Sequence, residues 1–216
     1  MRSIGICPEE LDAVFLTHEH SDHCRGVGPL VRKYNLPLYA TEGTMRRINN
    51  IGRLPEFKTI RADEPVQLGG LTIEPYATPH DGEETVAFVF HYQGRKLGHM
   101  TDLGKVTPEV KNKLQRSDVL LVESNHDVSM LEAGPYPWNL KMRIKSDVGH
   151  LSNEACGELL SSVVHSGLKK VMLLHLSETN NHPDIATITA QQALGDSTAE
   201  LELAKQDEPM PLASIL

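Results

Sequence analysis

The sequence predicts an α/β fold, and three observations support that prediction. Short apolar segments typical of strands alternate along the chain with longer segments typical of helices. Hydrophobic residues make up 39% of the 216 residues, a length that suits one domain with a sizeable core. No internal repeat or low-complexity tract divides the chain. We therefore expect one α/β domain over residues 1–205 and a flexible tail over residues 206–216.

The predicted elements follow one another along the whole domain. Asn35 ends a long helix, and the chain passes at Pro37 into a short strand. The predicted strands lie near residues 13–17, 37–40, 71–76, 85–92, 95–100, 118–123 and 170–175. The predicted helices lie near residues 24–35, 41–49, 107–115, 152–165 and 183–193. Residues that could carry chemistry follow the strand ends, where α/β folds place their sites.

Segment 17–23 carries the strongest chemical signal in the chain. It reads Thr-His-Glu-His-Ser-Asp-His and directly follows an apolar run typical of a buried strand. Neutral imidazoles and carboxylates are ligands that zinc and its first-row neighbours prefer. Because alternate side chains of an extended segment point the same way, His18 and His20 can bind one ion together. Asp22 and His23 follow a turn and would serve a second ion close by. A polar loop without metal is the weaker interpretation.

The H-x-H-x-D-H pattern resembles the signature of the metallo-β-lactamase fold superfamily. Later segments are similar to its YycJ/WalJ-type branch, namely Glu-Ser-Asn-His-Asp at 123–127 and Gly-His-Leu-Ser-Asn-Glu at 149–154. The resemblance implies an αββα sandwich. The first residues of the chain resemble the interior of such a protein, which normally has two or three strands and a helix before this point. We therefore expect an N-terminally truncated sandwich with an exposed sheet edge.

The same resemblance implies three further metal ligands. His80 follows a Thr-Pro step, Asp102 lies in a Thr-Asp step, and His175 ends a run of apolar residues. Taken singly, they would be a loop histidine, a turn or capping residue, and a core histidine. Their order along the chain matches the family and favours ligands. The family pattern assigns His18, His20 and His80 to one ion, Asp22, His23 and His175 to the other, and Asp102 to both.

Two catalytic roles are implied as well. In related ribonucleases of the Z and J types, a histidine in a similar Gly-His or His-Ser-Thr sequence lies beside the metals and can protonate the leaving group. His150 is the candidate for that role here, and its alternative is a packing or capping residue at a helix start. Asp22 is expected to hold the proton of the attacking water as well as to bind metal.

A basic segment at residues 136–145 is a candidate for substrate binding. It contains the only tryptophan of the chain and three cationic residues. Arginine can form a bidentate fork with phosphate, and an aromatic face can stack on a base. Lys141 and Arg143 are therefore candidate substrate-binding residues. A solvated basic face explains the same residues equally well.

The resemblance implies a binuclear metal-dependent hydrolase. We expect a phosphodiesterase or exonuclease that acts on nucleic acid through a metal-bridging hydroxide, with two divalent ions, zinc first and manganese as the alternative. The net charge of −8 argues against a passive nucleic-acid-binding module, but bound ions can neutralise phosphates. The alternatives are a hydrolase of small esters, thioesters or lactones, and a truncated, inactive metal-binding protein.

Location and redox chemistry give weaker signals. The sequence has no 18-residue apolar run and no signal-peptide core, so we expect a cytoplasmic protein with no membrane segment. The cysteines Cys7, Cys24 and Cys156 form no C-x-x-C pair, which indicates neither disulfides nor a zinc finger.

Overall fold

The structure is a computed structural model in which residues 1–211 are described. Their strands form two sheets, and the smaller sheet is parallel with the order β1-β2-β3. Its strands are β1 (Val14–Phe15), β2 (Pro37–Ala40) and β3 (Glu56–Thr59). Short 3-10 helices at Arg2–Ile4 and Pro8–Glu10 precede it, and the helices α1 (Ser21–Cys24), α2 (Val27–Tyr34) and α3 (Glu42–Arg47) connect its strands.

The larger sheet has the order β10-β9-β8-β7-β6-β5-β4. Its strands are β4 (Val66–Leu68), β5 (Leu71–Ala77), β6 (Val86–Tyr92), β7 (Arg95–Met100), β8 (Val119–Glu123), β9 (Lys170–Leu174) and β10 (Glu200–Leu203). Strands β4 to β7 form an antiparallel meander, and β7 to β10 are parallel. Because β5, β7, β8 and β9 therefore run in the same direction, their carboxyl ends meet at one edge of the sheet.

Helices cover the outer face of the larger sheet. They are α4 (Pro108–Leu114), α7 (Asn153–Val163) and α8 (Pro183–Leu194), while α5 (Val128–Ala133) and α6 (Trp138–Ile144) lie in the connection after β8. Polar caps fix where two of them begin. The Thr107 hydroxyl accepts from the Val110 N–H at the start of α4, and the Ser152 hydroxyl accepts from the Ala155 N–H at the start of α7.

Apolar side chains fill the spaces between these layers. Val31 of α2 packs with Leu38 of the smaller sheet. Between the sheets, Phe15 stacks on Tyr39 with ring centroids 4.4 Å apart and meets Phe88 edge-on at 5.7 Å. The largest cluster joins the outer face of the larger sheet to α4, α7 and α8. This layering confirms the predicted αββα sandwich.

Every predicted strand and long helix is present, with corrected bounds. The helix expected over 24–35 is α2, which begins three residues later, at Val27. Strands β3, β4 and β10 and helices α1, α5 and α6 were not predicted. Of the expected tail, residues 206–211 are described, and the Gln206 amide donates to the Leu176 carbonyl at 3.3 Å; residues 212–216 lie outside the described part. Within residues 1–211, no helix combines the length and apolar character needed to cross a membrane.

Candidate metal centre

Both sheets contribute to the candidate site. His80 follows β5, Asp102 follows β7 and His175 follows β9, so the shared edge of the larger sheet brings these three together. The loop after β1 and helix α1 carry segment 18–23 to the same place. Asp102 and His175 have left-handed φ values of 57° and 58°. Non-glycine residues rarely adopt this conformation, and such strain clusters at functional sites.

His18, His20 and His80 form the first group of ligand atoms. The His18 Nε2 atom lies 3.0 Å from His20 Nδ1, and the His80 Nε2 atom lies 3.2 Å from that same nitrogen. Ligands bound tetrahedrally at ~2.0–2.1 Å from a zinc ion lie about 3.3–3.4 Å from one another. The three nitrogens therefore converge at close to the spacing that one ion needs.

Asp22, His23 and His175 form the second group. The Asp22 Oδ2 atom lies 3.5 Å from His23 Nε2 and 4.0 Å from His175 Nε2. Both histidines are half-buried, whereas the Asp22 side chain is 63% exposed. The group is therefore open to solvent on the side of Asp22, as a hydrolytic metal site must be to admit water.

Asp102 lies between the two groups and is buried. Its Oδ2 atom lies 3.2 Å from His23 Nε2, while its Oδ1 atom lies 3.6 Å from His175 Nδ1 and 3.9 Å from His80 Nε2. Despite the proximity of His23, no residue within 1–211 forms a hydrogen bond to Oδ2. A buried carboxylate oxygen without a donor is costly, and a cation would satisfy it.

Four of the histidines share one orientation, in which Nδ1 contacts the protein and Nε2 faces the other ligand atoms. The Nδ1 contacts are Thr17 Oγ1 for His18 at 3.0 Å and for His23 at 3.2 Å, the Gly149 carbonyl for His80 at 3.1 Å, and Glu123 Oε1 for His175 at 3.0 Å. Such contacts fix the ring orientation of metal-binding histidines. His20 is reversed, because its Nδ1 atom faces His18 and His80.

Burial keeps part of the centre neutral. Burial, reinforced by the neighbouring His23, lowers the pKa of His18 to about 3. Burial also lowers the pKa of His80. Both imidazoles are therefore unprotonated near neutral pH, which is the state that can donate a lone pair to a metal.

The two buried carboxylates of the site are ionised. Burial raises the pKa of Asp102 and of Glu123, but the neighbouring histidines lower both pKa values more strongly. Burial lowers the pKa of His175, but Glu123 and Asp102 outweigh it and raise that pKa to about 9. Without metal, a protonated His175 thus balances the carboxylates. A divalent cation can replace that proton, so these residues fit a bound metal ion.

Glu123 is a residue of the site that sequence reasoning missed. It ends β8 and is fully buried, and its Oε1 atom contacts the Nδ1 atoms of His150 at 2.7 Å and His175 at 3.0 Å. Its Oε2 atom accepts from the Leu103 N–H at 2.8 Å and the Leu151 N–H at 3.4 Å. This one carboxylate therefore orients two histidines of the site.

A cleft of about 550 Å³ opens over these residues, with Asp22, His150 and Arg143 in its lining. The His150 ring lies between His80 and His175, with centroids 5.3 and 5.2 Å away. Because its Nδ1 atom is held by Glu123, its Nε2 atom lies on the opposite side of the ring. That geometry is compatible with contact between His150 and a substrate, and not only with packing or capping at the start of a helix.

The basic segment is only partly brought to the cleft. Arg143 lines it, and its guanidinium binds Asp81. Lys141 does not line the cleft, because its ammonium donates to the carbonyls of Glu132 and Gly134, both at 2.7 Å. Trp138 is 74% exposed and also lies outside the lining.

Comparison with known proteins identifies the family. The family described as "Beta-lactamase superfamily domain" matches residues 5–176, and the chain belongs to it. It is 38% identical to "Exodeoxyribonuclease YycJ" of Bacillus anthracis, over 94% of this chain and 79% of that protein. It is 36% identical to "Exodeoxyribonuclease WalJ" of Streptococcus pneumoniae, over 88% of this chain and 72% of that protein.

A solved structure shows the same fold. The metallo-β-lactamase fold protein YhfI from Bacillus subtilis superposes with a TM-score of 0.69 at 21% identity, covering 92% of this chain and 77% of that one. These matches confirm the resemblance to YycJ/WalJ-type proteins and the prediction of a metal-dependent hydrolase. Together with the converging His and Asp ligands, they define the cluster as a divalent-metal site.

Proposed function

We propose that this chain is an exodeoxyribonuclease that hydrolyses DNA phosphodiesters with two divalent metal ions. The observation that carries the proposal is Asp102, whose buried carboxylate lies within 4 Å of ligands from both groups: His80 of the first, and His23 and His175 of the second. A carboxylate placed in this way can hold two cations ~3.5–4 Å apart, the spacing used by two-metal phosphodiesterases. The names of the relatives from B. anthracis and S. pneumoniae support deoxyribonucleic acid as the substrate.

The ligand sets follow the two groups. His18, His20 and His80 would hold one ion, and Asp22, His23 and His175 the other. Asp102, which lies near both groups, would serve both ions. The nitrogen-rich donor set favours zinc, with manganese as the alternative. Ions bound there would supply Lewis acidity for a phosphoryl oxygen and would lower the pKa of water.

The protein's own groups would handle protons and orientation. Asp22, exposed at the open side of the site, would accept a proton from the attacking water. His150 has its Nδ1 atom fixed by Glu123 and would donate a proton from Nε2 to the leaving oxygen. Arg143 lines the cleft, where a DNA phosphate would pass. Lys141 lies outside the lining and binds the carbonyls of Glu132 and Gly134 instead.

The test is cleavage of defined DNA by the purified, metal-loaded protein. Substrates are 5′- and 3′-labelled oligonucleotides, single- and double-stranded, each with free or blocked ends, together with bis-p-nitrophenyl phosphate. We expect stepwise, metal-dependent shortening that depends on a free end and is abolished in Asp102→Ala. Turnover of a lactone or thioester with all phosphodiesters intact would favour the small-ester alternative. Stoichiometric metal without any turnover would favour an inactive metal-binding protein.

A further inference from the structure

Asp81 connects the metal centre to helix α6. Its Oδ1 atom lies 3.3 Å from His20 Nε2 and 3.4 Å from His80 Nε2. The same carboxylate accepts from the Arg143 guanidinium through Nε, at 2.5 Å, and through Nη2, at 3.1 Å. One half-buried side chain therefore contacts two proposed ligands and a wall of the cleft.

His20 has a particular need for such a partner. Its Nδ1 atom faces the first group of ligand nitrogens, which leaves Nε2 as the atom that fixes the ring from outside. The other four histidines use Nδ1 for that purpose, on Thr17, Gly149 or Glu123. For His20, the Asp81 carboxylate occupies the corresponding position. A carboxylate behind a metal-binding imidazole holds the ring in place and raises its basicity.

Arg143 in turn fixes Asp81. The Asp81 side chain is 26% exposed and lies in the loop after β5, so only its contacts hold it against His20. The guanidinium approaches it with two nitrogens, the arrangement in which arginine recognises a carboxylate with defined geometry. Arg143 is itself 51% exposed and belongs to α6, which also supplies other residues of the cleft lining.

We propose that Asp81 is a positioning residue for the metal ligand His20 and that Arg143 acts on the metal centre through Asp81. This inference rests on the ligand set of the proposed function. It gives Arg143 a role different from that of a free phosphate-binding cation, because its fork is already engaged. Changes in α6 should therefore alter the affinity for the ion held by His18, His20 and His80. They should not alter the affinity for the ion held by Asp22, His23 and His175.

Metal affinity of the full chain tests the proposal. Metal-free protein is titrated with Zn²⁺ against a chromophoric chelator, and with Co²⁺ to record the absorption of each site. Asp81→Ala should weaken one of the two sites about 10–100-fold and leave the other within about threefold. Asp81→Asn keeps an oxygen that can accept from His20 Nε2 and should recover most of that loss. Arg143→Gln should weaken the same site about 3–10-fold, and should add nothing when Asp81 is already alanine.

Lys145→Gln is the matched control, because it removes an ion pair with Glu132 directly after α6 that does not reach the metal centre. It should leave both affinities unchanged. Equal weakening of both sites by Asp81→Ala, or an additive effect of Arg143→Gln in the Asp81→Ala background, would overturn the proposal. So would a Co²⁺ spectrum showing that Asp81→Ala removes a ligand. Unchanged affinities in variants of a wild type that binds two ions would defeat this inference alone, whereas a wild type without metal would defeat the proposed function as well.

Discussion

At Asp102, a left-handed backbone, full burial and an unsatisfied carboxylate oxygen occur in a single residue. Strain and desolvation each cost on the order of 1–3 kcal/mol, so Asp102 destabilises the folded chain when no metal is bound. Asp102→Ala should remove the oxygens shared by both groups and reduce bound metal from about two ions per chain to well below one. His80→Ala should mainly weaken one site. Elemental analysis of both variants measures the bound metal. Equal losses of metal in the two variants would contradict the bridging role of Asp102.

His150 gives a second prediction at the residue scale. Its Nδ1 atom is held by Glu123, so loss of the ring should remove a proton donor and leave the metal ligands in place. General acid catalysis contributes about 10²–10⁴-fold, chiefly when the leaving group is a poor one. His150→Ala should keep near-normal metal content, lose most activity on oligonucleotides and lose far less on p-nitrophenyl esters. His91→Ala, at a half-exposed histidine of β6, is the control. Equal losses of activity on both substrates would show that His150 has a structural role rather than that of a proton donor.

The residues proposed as metal ligands are those that the sequence predicts, and the structure brings them together. The partners that orient them could not be predicted. His18, His20, Asp22 and His23 follow a strand at a spacing that few other functions require. Glu123 gave a weaker signal, a carboxylate ending the apolar run of β8. Its role depends on His150 and His175, which lie 27 and 52 positions further along the chain. Asp81 and Arg143 are likewise 62 positions apart. Only the fold brings such partners together.

At the scale of elements, the turn between α6 and α7 is built on a close backbone approach. A Cβ atom added at Gly149 would lie 2.1 Å from the Ile144 carbonyl oxygen and 2.3 Å from that of Arg143. Backbone atoms cannot move aside as the end of a side chain can. Gly149→Ala should therefore cost about 1–3 kcal/mol of unfolding free energy and displace the Gly149 carbonyl from His80.

Denaturant unfolding and metal titration of the same samples check this prediction. Gly26→Ala is the control, since a Cβ atom there meets nothing within 4 Å and its φ of −89° suits alanine. The control should change neither stability nor metal affinity. A Gly149→Ala protein with unchanged stability and metal affinity would contradict the prediction, because it would show that the turn accommodates a Cβ atom.

The elements that sequence reasoning missed lacked a hydrophobic pattern or were short. Strand β3 is exposed at all four positions, so neither alternation nor an apolar run marks it. Helix α1 has four residues and carries ligands rather than core side chains. Strand β10 reads Glu-Leu-Glu-Leu, an alternation that predicts an edge strand. Gly69-Gly70 between β4 and β5 is a recognised hairpin signal. Strands β4 and β10 could therefore have been predicted from the sequence.

For the whole molecule, bound metal would join the two sheets. Segment 18–23 extends from the smaller sheet, while His80, Asp102 and His175 extend from the larger one. A metal ion that binds only the folded chain, at a free concentration a thousand times its Kd, stabilises the folded chain by about 4.1 kcal/mol. For a chain of this length, that corresponds to a Tm change of roughly 8–16 °C. Chelation should lower the Tm by this amount and Zn²⁺ should restore it, as measured by calorimetry. In Asp102→Ala, chelation should change the Tm by only a few degrees.

The pH dependence of the metal-free protein follows from three histidines. Burial lowers the pKa of His18 to about 3 and that of His99 to about 4 in the folded chain, from 6.5 in the unfolded one. Their contribution to stability is therefore present above pH 6.5 and is lost as the pH falls towards 4 and 3. His175, whose pKa is raised to about 9 by Glu123 and Asp102 against the effect of burial, contributes below pH 6.5 and loses that contribution as the pH rises through 9.

The chelated protein should therefore have its highest Tm near pH 6.5 and lose stability on both sides. Zn²⁺ must displace the His175 proton, so its affinity should rise with pH until about 9, and the difference in Tm between loaded and chelated protein should widen from pH 6.5 to 9. Calorimetry from pH 5 to 9.5, with and without metal, measures both effects. His99→Gln, which removes a titrating group outside the ligand set, should flatten only the acid side. A chelated Tm that keeps rising to pH 9, or a metal-dependent difference that shrinks there, would contradict the charge balance assigned to His175.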